Sequence, residues 1–222
     1  MMVSMSPEAD VHVARAERLA LCDTFLAVGP DAPTLCSPWR TRDLAAHLVV
    51  RERRPDLAPG IFVPFLAART EREQSRIAAG SWPELVETVR SGPPSWLPMR
   101  FSAVDDLVNT VEMVVHHEDV LRGDGAVGPR RELDERSGKA VWAALKRVAP
   151  LAFRKAPVGV RLVAPGRSAV EATTKAGAGV VTVTGEPLEL LLLAYGRHQV
   201  AAVEYAGSDA DIAALKGASL GI

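Results

Sequence analysis

The chain has only two cysteines in 222 residues, Cys22 and Cys36. They are too few and too far apart for a disulfide framework or a cysteine-built zinc cluster, so both read as packed thiols. Net charge is missing too, with 26 lysines and arginines facing 27 acids for a formal −1. Without a basic footprint, neither nucleic acid nor an anionic membrane surface is an expected partner, which leaves small molecules or proteins. Long apolar runs are also lacking. The longest, LELLLLAYG at 188–196, falls well short of the roughly 20 residues a membrane helix needs. The opening MMVSMSPEAD carries charge and no apolar segment of the signal-peptide kind. The expected location is therefore the cytoplasm, and the sequence leaves the oligomeric state open. What the chain does have is apolar material, 48% of its residues, enough for one substantial core or two modest ones.

Ser6-Pro7-Glu8 has the chemistry of a helix start: a side-chain oxygen for the first amides, proline in the first turn and an acid at the positive dipole end. That helix should run to residue 28, where Gly29-Pro30 stops it. After the loop DAPTLCSPW, Thr41 is placed to cap a second helix carrying His47 at its middle. Helical pattern resumes after Pro64, and Ser81-x-x-Glu84 has the spacing of a capping box. Further helices are expected over 103–121 and 133–149, the latter ending at Pro150. Beyond it the short β-branched runs VGVRLVA, AVEATTK and VVTVTG read as a small antiparallel sheet. A helix opening at Gly185-Glu186-Pro187, a strand within VAAVEYAG and a closing helix DADIAALKG complete the pattern. The expected fold is α+β, with a helical domain over 1–150 and a small α/β domain over 151–222.

The stretch VEMVVHHEDV at 111–120 concentrates titratable groups inside an apolar run. Turning about 100° per residue puts Asp105, Asn109, Glu112, His116 and Asp119 in one polar stripe beside an arc of valines and Leu107, so the stripe borders the core. His117 falls on a different face and is expected to look outward. Glu112 and His116, four apart, meet over one turn, which suits a shared metal ion but also a simple charge-assisted hydrogen bond. Asp119 can serve as a third ligand, as an acceptor that orients His116, or as a plain helix-end acid. A metal would need another ligand. His47, inside an apolar helix, is the candidate, with a core imidazole bonded to a backbone carbonyl as its alternative. His12 reads as packing, and His198 stays open.

Taken together, SPWRTRDLAAHL (37–48), VEMVVHHEDV (111–120) and VTVTGEPLELLLLAYGR (181–197) resemble the metal-binding relatives of mycothiol-dependent maleylpyruvate isomerase, within the DinB-like superfamily. The resemblance spans nearly the whole chain. It implies an N-terminal four-helix bundle, a C-terminal α/β domain similar to sterol-carrier folds, and zinc or another divalent ion held between helices. The family's W-x-x-x-D-x-x-x-H motif falls on Trp39, Asp43 and His47, its E-x-x-x-H pair on Glu112 and His116, and its following acid on Asp119. The implied metal ligands are His47, Glu112 and His116, and two imidazoles with one carboxylate suit zinc but also nickel, cobalt or iron.

Three protein ligands leave a fourth position, as in catalytic zinc sites. The resemblance implies that a low-molecular-weight thiol, mycothiol or similar, enters it as thiolate and attacks an electrophilic small molecule, in isomerisation or thiol transfer. Arg197 would pair with a cofactor or substrate carboxylate, and Asp119 would fix the tautomer of His116. Two other functions fit the same ligands: a metal-dependent small-molecule binder or sensor without turnover, and a metal-assisted hydrolase.

Overall fold

A computed structural model describes residues 13–61, 63–94, 102–125, 131–175 and 177–221. The helix start expected at residues 6–8, His12 and the side chain of Asp105 lie outside the described residues. The chain forms two compact units, Met1–Asp124 and Gly125–Ile222. The helix expected to end the first domain belongs to the second unit, where it packs on a helix and a strand of that unit.

In the first unit α1 (Val13–Val28), α2 (Thr41–Arg53), α3 (Pro64–Ala78), α4 (Trp82–Arg90) and α5 (Ser102–Leu121) are joined by loops and one 3₁₀ turn, Ala58–Ile61. Leu21 and Phe25 of α1, Leu44 and Leu48 of α2, Val86 and Val89 of α4 and Met113 of α5 form its apolar core. Each of these large side chains contributes about 1.5–3 kcal/mol by leaving water. The expected cap of α2 shifts by one residue. Arg40 holds the N-cap position, and its backbone amide donates to the Asp43 carboxylate at 2.9 Å. Thr41 instead donates its hydroxyl to the Gly29 carbonyl at 2.6 Å, tying the new helix to the end of α1. At α4 Ser81 occupies the N-cap, but its side chain makes no capping bond.

The loop between α1 and α2 is fastened to the end of α5. The Leu35 amide donates to the Asp119 carbonyl at 2.9 Å. A Cβ at Gly123 would lie 2.0 Å from the Pro33 carbonyl oxygen, so only glycine permits that approach. Inside the unit, Arg18 and Glu52, both nearly inaccessible, form a two-pronged ion pair at 2.5 and 2.8 Å that ties α1 to α2.

In the second unit α6 (Glu135–Ala152) runs two residues past Pro150, which sits in its last turn. The strands are β1 (Gly159–Val163), β2 (Val170–Thr173), β3 (Val180–Thr184) and β4 (Glu204–Ala206), with α7 (Pro187–Ala194) and α8 (Asp209–Lys216) completing the unit. The sheet is mixed, not antiparallel throughout: its order is β2-β1-β3-β4, and β1 and β3 run parallel. The topology explains the correction. β2 folds back antiparallel on one side of β1, and β3 pairs with the other side of β1 instead of continuing a meander on β2, so after two reversals it runs in the direction of β1. Val160, Leu162, Val181 and Val183 are buried. α7 is buried on every side and apolar nearly all round, as its leucine run requires.

Candidate metal centre

His47 and Arg51 sit one turn apart on α2, and Glu112, His116 and Asp119 follow at helical spacing on α5. One ligand atom each from His47, Glu112 and His116 lies within 4.8 Å of the other two. His116 Nε2 stands 3.4 Å from Glu112 Oε2, and the His47 and His116 rings meet edge to face with centroids 5.4 Å apart. Two ligands on a tetrahedral zinc with bonds of about 2.0–2.2 Å are separated by roughly 3.3–3.6 Å, so the Glu112–His116 spacing suits a shared ion. Both imidazoles are buried, while Glu112 keeps 22% of its side chain accessible and gives the cluster an edge toward solvent.

His116 Nδ1 is engaged on the opposite side, 2.9 Å from Asp119 Oδ2. Asp119 is fully buried and also accepts the Cys36 thiol at 3.1 Å. Cys36, His116 and Asp119 thus form a second close group. Spacings of 2.9 and 3.1 Å are hydrogen-bond contacts, shorter than an oxygen–nitrogen or oxygen–sulfur edge around a bound cation, so this group is a hydrogen-bonded trio behind His116.

The Trp39, Asp43 and His47 spacing at the start of α2 has a physical content. Trp39 packs its ring on His47 with centroids 5.0 Å apart, Asp43 caps the helix, and Gln74 of α3 shares a side-chain hydrogen bond with His47 that favours the protonated ring. Burial, helped by the neighbouring His116, pushes the His47 imidazole down to about 3, which keeps its lone pair available at neutral pH. Burial alone would raise Glu112. The hydrogen bond from His116 and the positive charges of His116 and Arg51 outweigh it and hold the carboxyl at about 2. Burial would likewise lower His116, but its bonds to Asp119, Cys36 and Glu112 raise it well above the usual imidazole range. The cluster therefore stabilises a positive charge between two carboxylates.

His117 is a correction. It is buried, not turned outward: Nδ1 lies 2.6 Å from Glu17 Oε1 and Nε2 lies 2.8 Å from Thr24 Oγ1, both on α1. A helical wheel separates His117 from His116 but does not say which faces are covered, and α1 covers this one. Arg197 lies just after α7 in the second unit and donates from Nη1 to the Tyr195 carbonyl at 2.6 Å. His198 is exposed.

Sequence reasoning missed Arg51, Cys36 and Gln74. Arg51 Nε lies 3.5 Å from Glu112 Oε2, and its guanidinium also donates to the buried Asn109. Its position four residues after His47 was a usable signal for a shared face. Cys36 and Gln74 reach the centre only through tertiary packing. Compared with known proteins, the chain matches no family model, no curated protein and no solved structure.

Proposed function

We propose that the first unit holds a divalent cation, zinc before others, through His47, Glu112 and His116. The protein is then a metal-dependent, thiol-using isomerase or transferase similar to mycothiol-dependent maleylpyruvate isomerase. The observation that carries this reading is the convergence of two buried imidazoles and one ionised carboxylate, from α2 and α5, within 4.8 Å. In this reading the first unit is the DinB-like bundle and the second the sterol-carrier-like domain.

A cation held there acts as a Lewis acid and depresses a thiol's pKa from its free value of about 8.5. The chain's own residues set the stage. Asp119 accepts a hydrogen bond from His116 Nδ1–H, which fixes the tautomer and leaves Nε2 facing Glu112 and His47. Trp39 and Gln74 fix the His47 ring, and Arg51 adds to the positive charge, chiefly that of His116, that holds Glu112 ionised.

Elemental analysis of the purified full chain should find one divalent ion per chain. His47→Ala, Glu112→Gln and His116→Ala should each weaken its retention against a chelator on the order of 100-fold or more. A wild-type chain that neither carries nor takes up zinc, nickel, cobalt or iron would end the reading. Metal-dependent consumption of a low-molecular-weight thiol in the presence of maleylpyruvate or a simple electrophile tests the chemistry.

A further inference from the structure

The corner where α2 passes through the 3₁₀ turn into α3 carries a second polar assembly. A surface cavity of about 360 Å³ is lined by Arg54, Leu57, Arg69, Arg72, Glu73 and Arg76. The arginines of α3 fall at i, i+3 and i+7, one stripe of the helix. Glu73 accepts from Arg54 at 2.6 Å and from Arg76 at 2.7 Å, and Asp56 accepts from Arg54 at 3.0 Å and from Arg69 at 3.3 Å. Among the described residues no carboxylate pairs with Arg72, whose Nε turns back to the Ala68 carbonyl of its own helix. Four guanidiniums against two carboxylates leave two surplus positive charges at one place, in a chain whose net charge is −1.

This corner is rigidly built. The Thr70 hydroxyl, buried, donates to the Leu57 carbonyl at 2.8 Å. A Cβ at Gly60 would lie 2.1 Å from Thr70 Oγ1 and 2.8 Å from the Leu66 carbonyl, so a glycine is required for the turn to sit this close to α3. The lock fixes Arg54 and Asp56 against the arginine stripe before any ligand arrives. Exposed arginine–carboxylate pairs are each worth about 1 kcal/mol or less, so their remaining N–H groups turn to a stronger anion at little cost.

We infer that this corner is a binding site for a small phosphate-bearing ligand with at least two negative charges, such as a diphosphate group. Two carboxylates already sit among the arginines, and the surplus of two charges calls for a dianion. Phosphoryl oxygens match the guanidinium fork in two-pronged fashion. The cavity's size suits a small molecule more than a macromolecular strand.

Isothermal titration of the full chain with pyrophosphate at fixed ionic strength tests this inference. The expected result is one saturable site, at least about tenfold tighter for pyrophosphate than for malonate, with binding weakened at least about tenfold in Arg69→Gln/Arg72→Gln. Arg161→Gln, on the sheet of the other unit, should leave it unchanged, and the melting curve of the double variant confirms that it folds. Absence of saturable binding, or binding that the double variant retains in full, overturns the site. Equal affinity for malonate overturns the phosphate assignment. Tighter capture of a short single-stranded oligonucleotide through the same arginines overturns the small-molecule class.

Discussion

Among the described residues, every buried polar or charged side chain except Glu189 lies in the first unit. The second unit folds around Val160, Leu162, Val181, Val183 and the leucines of α7, and Glu189 itself is satisfied by the Ala202 amide at 2.7 Å. The first unit has an apolar core as well, so it did not need His47, Asn109, His116, His117 and Asp119 inside in order to fold. Taking such groups out of water costs free energy that their hydrogen bonds at best offset. One half of the chain carries that cost and the other avoids it, and the half that carries it is the one in which the proposed metal site lies.

The contrast can be broken most forcefully at His117. His117→Ala leaves the buried Glu17 carboxylate without its imidazole, and breaking a buried pair of this kind costs about 3–5 kcal/mol. Urea unfolding should show that loss while metal stoichiometry stays at the wild-type value. Loss of the ion from the folded variant would show that the two faces of α5 are not separate.

Acid should act next, and on the same unit. His47 is held at about 3 when folded and returns to its ordinary 6.5 when unfolded, so the unfolded chain binds the extra proton between those values. Stability from this group is complete above pH 6.5 and falls by about 1.4 kcal/mol per unit as pH drops below it. Glu112, lowered to about 2 from 4.5, adds its loss below pH 4.5. His116, raised, loses its contribution only as pH climbs through its elevated value. Metal-free protein should therefore lose about 2–3 kcal/mol between pH 6.5 and 4.5, and His47→Ala should flatten that slope.

Removal of the ion sharpens the comparison further. A ligand present at 100 times its dissociation constant stabilises the state that binds it by about 2.7 kcal/mol. Chelation should lower amide-exchange protection in α1–α5 and leave β1–β4 unchanged. Equal loss in both units would place the cation outside the first. The smallest effect belongs to Cys36. Cys36→Ala removes the thiol bond to Asp119 and should weaken metal affinity about tenfold, while Cys36→Ser restores a donor and most of the affinity. A chelator-competition titration separates the two.

Much of the fold was legible in the chain because its signals are local. Gly29-Pro30 ends α1, Pro64 opens α3, and the β-branched runs after residue 158 are strands. Strand direction was not legible, since Val180–Thr184 reads the same whether it pairs parallel with β1 or antiparallel with β2; its place beside β1 decides it. The site divides in the same way. Glu112 and His116 are helix neighbours, so their 3.4 Å approach follows from spacing. His117 was misplaced because periodicity resolves faces without saying what α1 covers. Cys36 reads from the sequence as a packed thiol, a description that suits Cys22, which burial raises to about 12. Nothing in LCSPW indicates the Asp119 carboxylate 83 positions away.

The mixed sheet has one more consequence. Its two outer strands are its shortest, Val170–Thr173 and Glu204–Ala206, and β2 carries Glu171 opposite Arg161 on the exposed face. A brief, charged rim offers few unsatisfied amides in register, so it makes a poor template for a second molecule's backbone. The α/β half is thereby protected against fibril-like stacking even when the chain is crowded.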